Sequence, residues 1–391
     1  MDNLPTVLLV GDPDIDARIP LMKHLEGFSV AAAGSSQALA QKFLESGFAY
    51  YWYPLSRRVD FLSDFSTLLH LTALFRRLSP TIVHTYDTKP GVWGRLAAKI
   101  ARVPVIVGTL PGLGSLYIND RLLTRLIRLG YQPLQKLACS YSDLTIFQNQ
   151  DDLRDFVRMG LAPITKATVI SGSGVSSTLF DPGKVSPLER AQMRKEFGIS
   201  QKSILVTMVS RVIRSKGVLD YAEAARIVQG QTNTRFLLVG SSDESSLDKL
   251  TTAELSRLDQ SVILSGRRED VSRLLGASDI FVFPSFLREG VPRVLLEAAS
   301  MGLPIVTTNT PGCNSVVEEG VNGFLVPPRD PEALAEAILR LVADPEMRAR
   351  FGRKSRQLAV SQFDLSLIAN QTADLYHMLL VKKGLSPAGR A

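Results

Sequence analysis

Cysteine is almost absent from the 391 residues. Cys139 and Cys313 stand far apart, which argues against a disulfide framework and fits a reducing compartment. Histidine is scarce too, at four residues, no Cys/His spacing suited to zinc appears and no Asp-x-Asp run makes a convincing metal site, so no metal or cofactor is expected. No apolar run is long enough to span a bilayer and Asp2 stands where a signal peptide would be basic. The expectation is a cytoplasmic chain that at most lies on a membrane. The G-x-G-x-x-G fingerprint is missing, and the single Gly11 closing a short apolar run does not support a nicotinamide cofactor.

What is present describes a large packed protein. Hydrophobic residues make up 45% and charged residues 21%, a globular composition, and the length exceeds one ordinary core, so two domains are expected. A formal charge of +7 and a pI near 9.4 favour an acidic partner: nucleotide phosphate, anionic lipid or nucleic acid. Nucleic acid ranks lowest, because the aromatic residues form no RNA-binding sheet signature.

Apolar runs alternate with helical patterns along both halves. In the first half, Thr6 to Gly11, Phe28 to Ala33, Thr81 to His84, Val103 to Val107, Leu144 to Gln148 and Lys166 to Ile170 read as strands. Phe61 to Leu78, Trp93 to Ala101 and Asp151 to Met159 read as helices. Two loops follow strand ends: the polar Thr85 to Gly91 and the glycine-rich Gly108 to Gly114, each a ligand loop or a mobile connection. Between Leu116 and Leu137, Arg121, Arg125, Arg128 and Lys136 alternate with leucines, isoleucines and tyrosines. That pattern suits an ordinary surface helix or one resting on an anionic membrane. Ser171 to Gly174 marks the end of the first domain, and Pro182 to Ser200 reads as a charged linker.

The second half opens with the strand Ser203 to Ser210, after which Arg211, Arg214 and Lys216 crowd the loop before helix Val218 to Gln229. Cations at a helix N-terminus oppose its dipole unless an anion lies between them. A bound phosphate is therefore the reading for Arg211 and Lys216, with Arg214 left to solvent. The densest stretch is Phe281 to Asn314, a strand, loop, helix and strand with Glu289 in the loop and Glu297 in the helix. A helix beginning at Pro292 would offer N–H groups of Gly290, Val291 and Arg293 to an anion. Ligands of parallel sheets bind beyond the carboxyl ends of strands, which aims Glu289 at a ligand; a helix-capping carboxylate is the other reading. Glu297 lies among apolar and small residues and wants a partner.

Glu289 and Glu297, spaced E-x7-E, together with SRVIRSKG, RFLLVG, PSFLREG and VNGFLVPP, resemble the retaining GT-B glycosyltransferases of family GT4 over nearly the whole chain. The resemblance implies an α/β GT-B fold, two Rossmann-like doubly wound domains facing a central cleft. The N-terminal acceptor-binding domain would span 1–180 and the C-terminal nucleotide-sugar-binding domain 181–365, with a C-terminal helix and tail over 366–391 packing back on the first. It implies that Arg211 and Lys216 neutralise the donor diphosphate and that Glu289 contacts the donor sugar at the reacting centre. Glu297 would hold the ribose hydroxyls, the backbone of Gly290 and Val291 would meet sugar and phosphate, and the base would lie near Gly240, Gly266 and Arg267. The run HTYDTKPGVWGRLAAKIARVPVIVGTLPGLGSLY is similar to a narrower group that extends polyprenyl-diphosphate-linked oligosaccharides, which implies Lys89, Thr109, Gly112 and Gly114 on the acceptor side. Pro111 stands where many members carry histidine, Asn314 where several carry arginine, and Ser176 where an aspartate is frequent.

The expectation is thus a metal-independent, retaining transferase. It would move a sugar from a UDP-linked donor to a lipid-carrier-linked glycan, with Arg121, Arg125, Arg128 and Lys136 available to an anionic membrane surface. A nucleotide-sugar 2-epimerase of the same architecture, or a non-catalytic partner subunit that keeps the fold, are the alternatives. Turnover of donor without any acceptor would favour the first, and donor binding without turnover the second.

Overall fold

Short runs of Val, Ile and Leu buried on both faces are what parallel strands require, and such runs form both sheets of the computed structural model. It describes residues 4–12, 14–56, 60–112, 122–244, 246 and 248–386. The chain divides into two units, one of Met1–Gly174 with Leu365–Ala391, the other of Val175–Asp364.

The first unit contains β1 (Thr6–Val10), β2 (Ser29–Gly34), β3 (Ala49–Trp52), β4 (Ile82–Thr85), β5 (Val105–Leu110), β6 (Leu144–Phe147) and β7 (Ala167–Val169). They form one sheet in the order β3-β2-β1-β4-β5-β6-β7, parallel throughout. One side of the sheet is covered by helices Phe61–Leu78 and Thr88–Ile100, which pack on Leu8, Val10, Val83 and Ile106. The other side carries helix Leu365–Lys382 on Val7, Leu9, Ile82 and Val105.

The second unit repeats the plan with β8 (Ile204–Val209), β9 (Thr234–Val239), β10 (Ile263–Gly266), β11 (Ile280–Phe283), β12 (Ile305–Thr308) and β13 (Gly323–Val326). Their order is β10-β9-β8-β11-β12-β13, again parallel. In each sheet the order reverses once, between β1 and β4 and between β8 and β11, and such reversals open the crevice where α/β sheets bind ligands.

Several elements differ from the sequence reading. The strand β3 was not foreseen, since AYYW carries no clean alternation. Thr88 to Gly91 are the first turn of helix Thr88–Ile100 rather than a loop, because a helix's first turn tolerates a proline that has no N–H to give. Gly108, Thr109 and Leu110 belong to β5 rather than to the following loop. The supposed linker holds helix Pro187–Glu196, started by a Ser186/Glu189 capping box and tied to the second unit by Arg190 and Asp279 at 2.6 Å. Pro292 caps helix Arg293–Ser300 with an extended ψ of 122° instead of opening it.

Candidate active site

The site grows from the carboxyl ends of β8 and β11. After β8 the chain runs through Ser210 and Arg211 into a short turn, Arg214–Lys216, that ends at Gly217. Gly217 has φ of +74°, and a Cβ there would lie 2.0 Å from the carbonyl oxygen of Pro284, the residue after β11. Only glycine permits that approach. The Phe286 N–H then donates to the Ser215 carbonyl at 3.0 Å, so the two strand-end loops are fastened backbone to backbone.

That fastening brings Lys216 and Glu289 together. The Lys216 ammonium donates to Glu289 Oε2 at 2.7 Å, and the side chains are only 11% and 18% exposed. The Ser285 hydroxyl donates to the other carboxylate oxygen at 2.9 Å, and the Phe283 ring lies 5.2 Å from the ammonium. The carboxylate is thus held at both oxygens and the ammonium is desolvated on one side. The anion that the sequence demanded beside its cations is, in the protein itself, Glu289.

The other cations of the loop separate from Lys216. Arg211 pairs with Asp243 at 2.8 Å and stays 58% exposed, while Arg214, expected in solvent, makes a two-pronged pair with Glu254. Asp248 accepts the Ser215 N–H at 2.6 Å. Ser285, Asp243 and Asp248 therefore support the site, and the sequence reading named none of them. Ser285 had a local signal, because Ser and Glu four residues apart in PSFLREG can meet across one turn. Asp243 and Asp248 had none, since their partners are more than 30 positions away.

Glu297 sits in helix Arg293–Ser300. Its side chain is 15% exposed, and the nearest cation, Arg293, is 4.0 Å away. Burial pushes its carboxyl up to about 7, with Arg293 pulling the other way. Gly240 and Gly266 are joined by the Gly240 N–H donating to the Gly266 carbonyl at 2.9 Å. A Cβ on Gly240, whose φ is +146°, would fall 1.8 Å from the Ser210 carbonyl oxygen. Arg267 is exposed beside them. Gly290 and Val291 lie just before the helix cap at Pro292.

The first unit uses its nominated residues differently. The Lys89 ammonium donates to Asp64 at 2.6 Å and to the Ser56 carbonyl at 2.9 Å. The Thr109 hydroxyl meets His84 Nε2 at 2.7 Å, and His84 Nδ1 meets the Tyr376 hydroxyl at 2.6 Å. Burial, then Arg18 and Arg95, push the His84 imidazole down to about 3, so it is neutral. At the reversal between β1 and β4, Asp87 caps helix Thr88–Ile100 at φ of +67° and accepts the Asp12 N–H at 3.3 Å. Gly112 follows β5, while Gly114 and Arg121 lie outside the described residues. Among the described residues no group of three or more His, Cys, Asp or Glu could hold a metal ion, and no helix is long and apolar enough to cross a membrane.

Residues 189–358 match the model of the glycosyl transferases group 1, and residues 25–172 match that of the glycosyl transferase 4-like domain. The chain is 29% identical over 339 residues to the UDP-Gal:alpha-D-GlcNAc-diphosphoundecaprenol alpha-1,3-galactosyltransferase of Escherichia coli, covering 86% of this chain and 85% of that one. It is also 29% identical over 372 residues to the N,N'-diacetylbacillosaminyl-diphospho-undecaprenol alpha-1,3-N-acetylgalactosaminyltransferase of Campylobacter jejuni, covering 93% and 95%. The fold is that of Anabaena HepE in complex with UDP-glucose, at a TM-score of 0.78 and 20% identity over 95% of this chain and 99% of the other. Each unit carries its own match, the first to the glycosyl transferase 4-like domain and the second to the glycosyl transferases group 1, over two parallel sheets of the GT-B plan, and the chain is a glycosyltransferase.

Proposed function

We propose that the protein is a retaining, metal-independent glycosyltransferase that uses a UDP-sugar and extends a glycan on a polyprenyl-diphosphate carrier at the cytoplasmic face of a membrane, in surface polysaccharide assembly. The observation that carries this reading is the Lys216–Glu289 pair at the reversal point of the second sheet. Two relatives over nearly full length support the acceptor, since both are named for sugars on diphosphoundecaprenol.

In this reading Glu289 is a hydrogen-bond acceptor for a donor-sugar hydroxyl near the reacting carbon. As the C1–O bond breaks, charge develops on the departing nucleoside diphosphate. Lys216 and Arg211 stabilise it, together with the backbone at Gly290 and Val291 before helix Arg293–Ser300; preorganised donors of this kind act without a metal. The acceptor oxygen enters on the face the phosphate leaves and gives its proton to that phosphate, so configuration is retained. Glu297 accepts from the ribose hydroxyls, and Gly240, Gly266 and Arg267 border the base. On the acceptor side, Gly112 is assigned a contact, while Lys89 and Thr109 act as positioning residues through Asp64 and His84. Arg125, Arg128 and Lys136 are assigned to lipid headgroups.

The test is thermal stabilisation of the purified chain by a panel of nucleotide sugars, since a ligand that binds the folded state alone raises its melting temperature. Transfer to an undecaprenyl-diphosphate-linked sugar is then assayed with the stabilising donor. Selective stabilisation by UDP-sugars and a product of unchanged anomeric configuration are expected. Preference for non-nucleotide ligands, or full transfer by Glu289→Ala, would sink the reading.

A further inference from the structure

Three helices of the first unit, Phe61–Leu78, Thr88–Ile100 and Leu122–Tyr141, pack side by side through Leu68, Leu96, Leu134 and Ala138. The Lys99 ammonium of the second lies 5.5 Å from the Tyr141 ring at the end of the third. Across all three the sequence holds a single acidic residue, Asp64, and that carboxylate is buried and paired with Lys89 at 2.6 Å. Arg76, Arg77, Lys99, Arg125 and Lys136 are exposed. No residue within these three helices exposes a carboxylate, and the neighbouring Asp60, exposed at the N-cap of the first, accepts the N–H groups of Leu62 and Ser63; in a chain with 38 acidic residues this is a marked asymmetry of charge.

The first helix adds a second asymmetry. Its buried side is already supplied by Leu71, Leu74 and Phe75, yet Leu62, Phe65 and Leu69, at spacings of three and four, are 85%, 58% and 53% exposed on the opposite side. A surface helix needs one apolar stripe, not two. Exposed apolar residues scattered singly mean little, but a stripe on one helix beside cations fits a surface that is apolar within and anionic at its rim.

We propose that this three-helix face docks the protein on an anionic lipid bilayer. Leu62, Phe65 and Leu69 enter the headgroup layer and Arg76, Arg77, Lys99, Arg125 and Lys136 meet lipid phosphate. The proposal rests on the lipid-linked acceptor reading and extends it from one basic helix to a surface whose inserting element is Phe61–Leu78.

The experiment uses the full chain with vesicles of phosphatidylcholine alone and of equal parts phosphatidylcholine and phosphatidylglycerol. Sedimentation should find the chain on the anionic vesicles only, and salt should release it. Each cation near such a surface is worth about fivefold in binding, so Arg76→Glu with Arg77→Glu should lower the bound fraction at least about tenfold. Leu62→Ser with Phe65→Ser and Leu69→Ser should do likewise, with unchanged melting temperature and unchanged transfer to a short-chain, water-soluble acceptor analogue. Equal binding to both vesicles, or wild-type binding by both variants, overturns the proposal. So does a dimer of the wild type that the triple serine variant disperses, which would put a second copy of the chain on this face. Transfer without vesicle binding defeats the surface alone; vesicle binding that both variants abolish, without transfer to any polyprenyl-diphosphate acceptor, supports the surface and defeats the functional reading.

Discussion

Over six strands the two sheets share one order and one reversal, the first adding β7 at its edge, yet their reversal points carry different side chains. In the second unit the strand-end loops are fastened by Gly217 against Pro284, and a lysine and a glutamate meet there with little solvent. In the first unit the corresponding ends of β1 and β4 carry Asp12 and Asp87, and the nominated cation, Lys89, is drawn off to a buried aspartate. Equal topology supplies a crevice twice; the side chains at its lip decide what chemistry it can do. In the proposed function the pair at the strand end is redistributed by an incoming phosphate, whereas the Lys89–Asp64 pair, bridging two helices with little solvent, is part of the core's own electrostatic balance.

The sharpest way to break this contrast is to remove one charge from each unit. Lys216→Ala and Glu289→Ala should each lower kcat for transfer by about 10²- to 10³-fold, the cost of losing one preorganised stabilising group. The double variant should be little worse than either single one, because the two residues act as a unit. Lys89→Met should leave kcat of the folded protein within a few-fold. It should lower unfolding stability by about 3 kcal/mol, since it strands the buried Asp64 carboxylate. Adding Asp64→Asn should recover most of that loss in a denaturant titration. If Lys89→Met instead abolished turnover at a temperature where circular dichroism shows it folded, the two units would have to be granted equal catalytic standing.

A smaller effect separates hydrogen bonding from charge in the first unit. Thr109→Val should leave His84 Nε2 buried without its partner, at about 1 to 3 kcal/mol. Thr109→Ser should restore it. A melting curve distinguishes the two, and equal melting temperatures would mean that His84 finds another partner.

Much of this was legible beforehand because it is local. Apolar runs followed by glycine gave the strands, and the spacing from Glu289 to Glu297 placed both carboxylates around the strand-end loop and helix. What was illegible depends on long-range pairing. Nothing near Lys89 in the chain announces Asp64, 25 positions earlier, and nothing near Arg211 announces Asp243. Arg211 and Lys216 looked like one cationic pair because they are neighbours in sequence, but folding gives each its own carboxylate. Thr109 looked like a loop residue because glycine precedes it, yet the pairing of β5 with β4 and β6 holds Gly108 and Thr109 in the sheet.

The finest test concerns Glu297, whose carboxyl sits at about 7 against an ordinary 4.5 because burial disfavours its charge. Between those two values the folded protein holds a proton that the unfolded chain has released, so stability of the ligand-free protein should fall as pH rises from 4.5 through 7. The full difference is at most about 3 kcal/mol at 1.36 kcal/mol per unit. Donor binding should run the other way. An ionised carboxylate accepts from ribose hydroxyls more strongly than a protonated one, by about 1 kcal/mol or roughly fivefold in Kd, so affinity should rise as pH passes 7. Two opposed pH trends from one residue are hard to imitate by general acid damage, which would move stability and binding together. Glu297→Gln should flatten both, keeping the shape and removing the proton. Calorimetric titration of UDP against the two proteins at pH 6 and 8 reads the binding trend directly. A pH dependence that survives the substitution would place the titrating group elsewhere than Glu297, and would leave the nucleotide to Arg211 and Lys216 at its diphosphate.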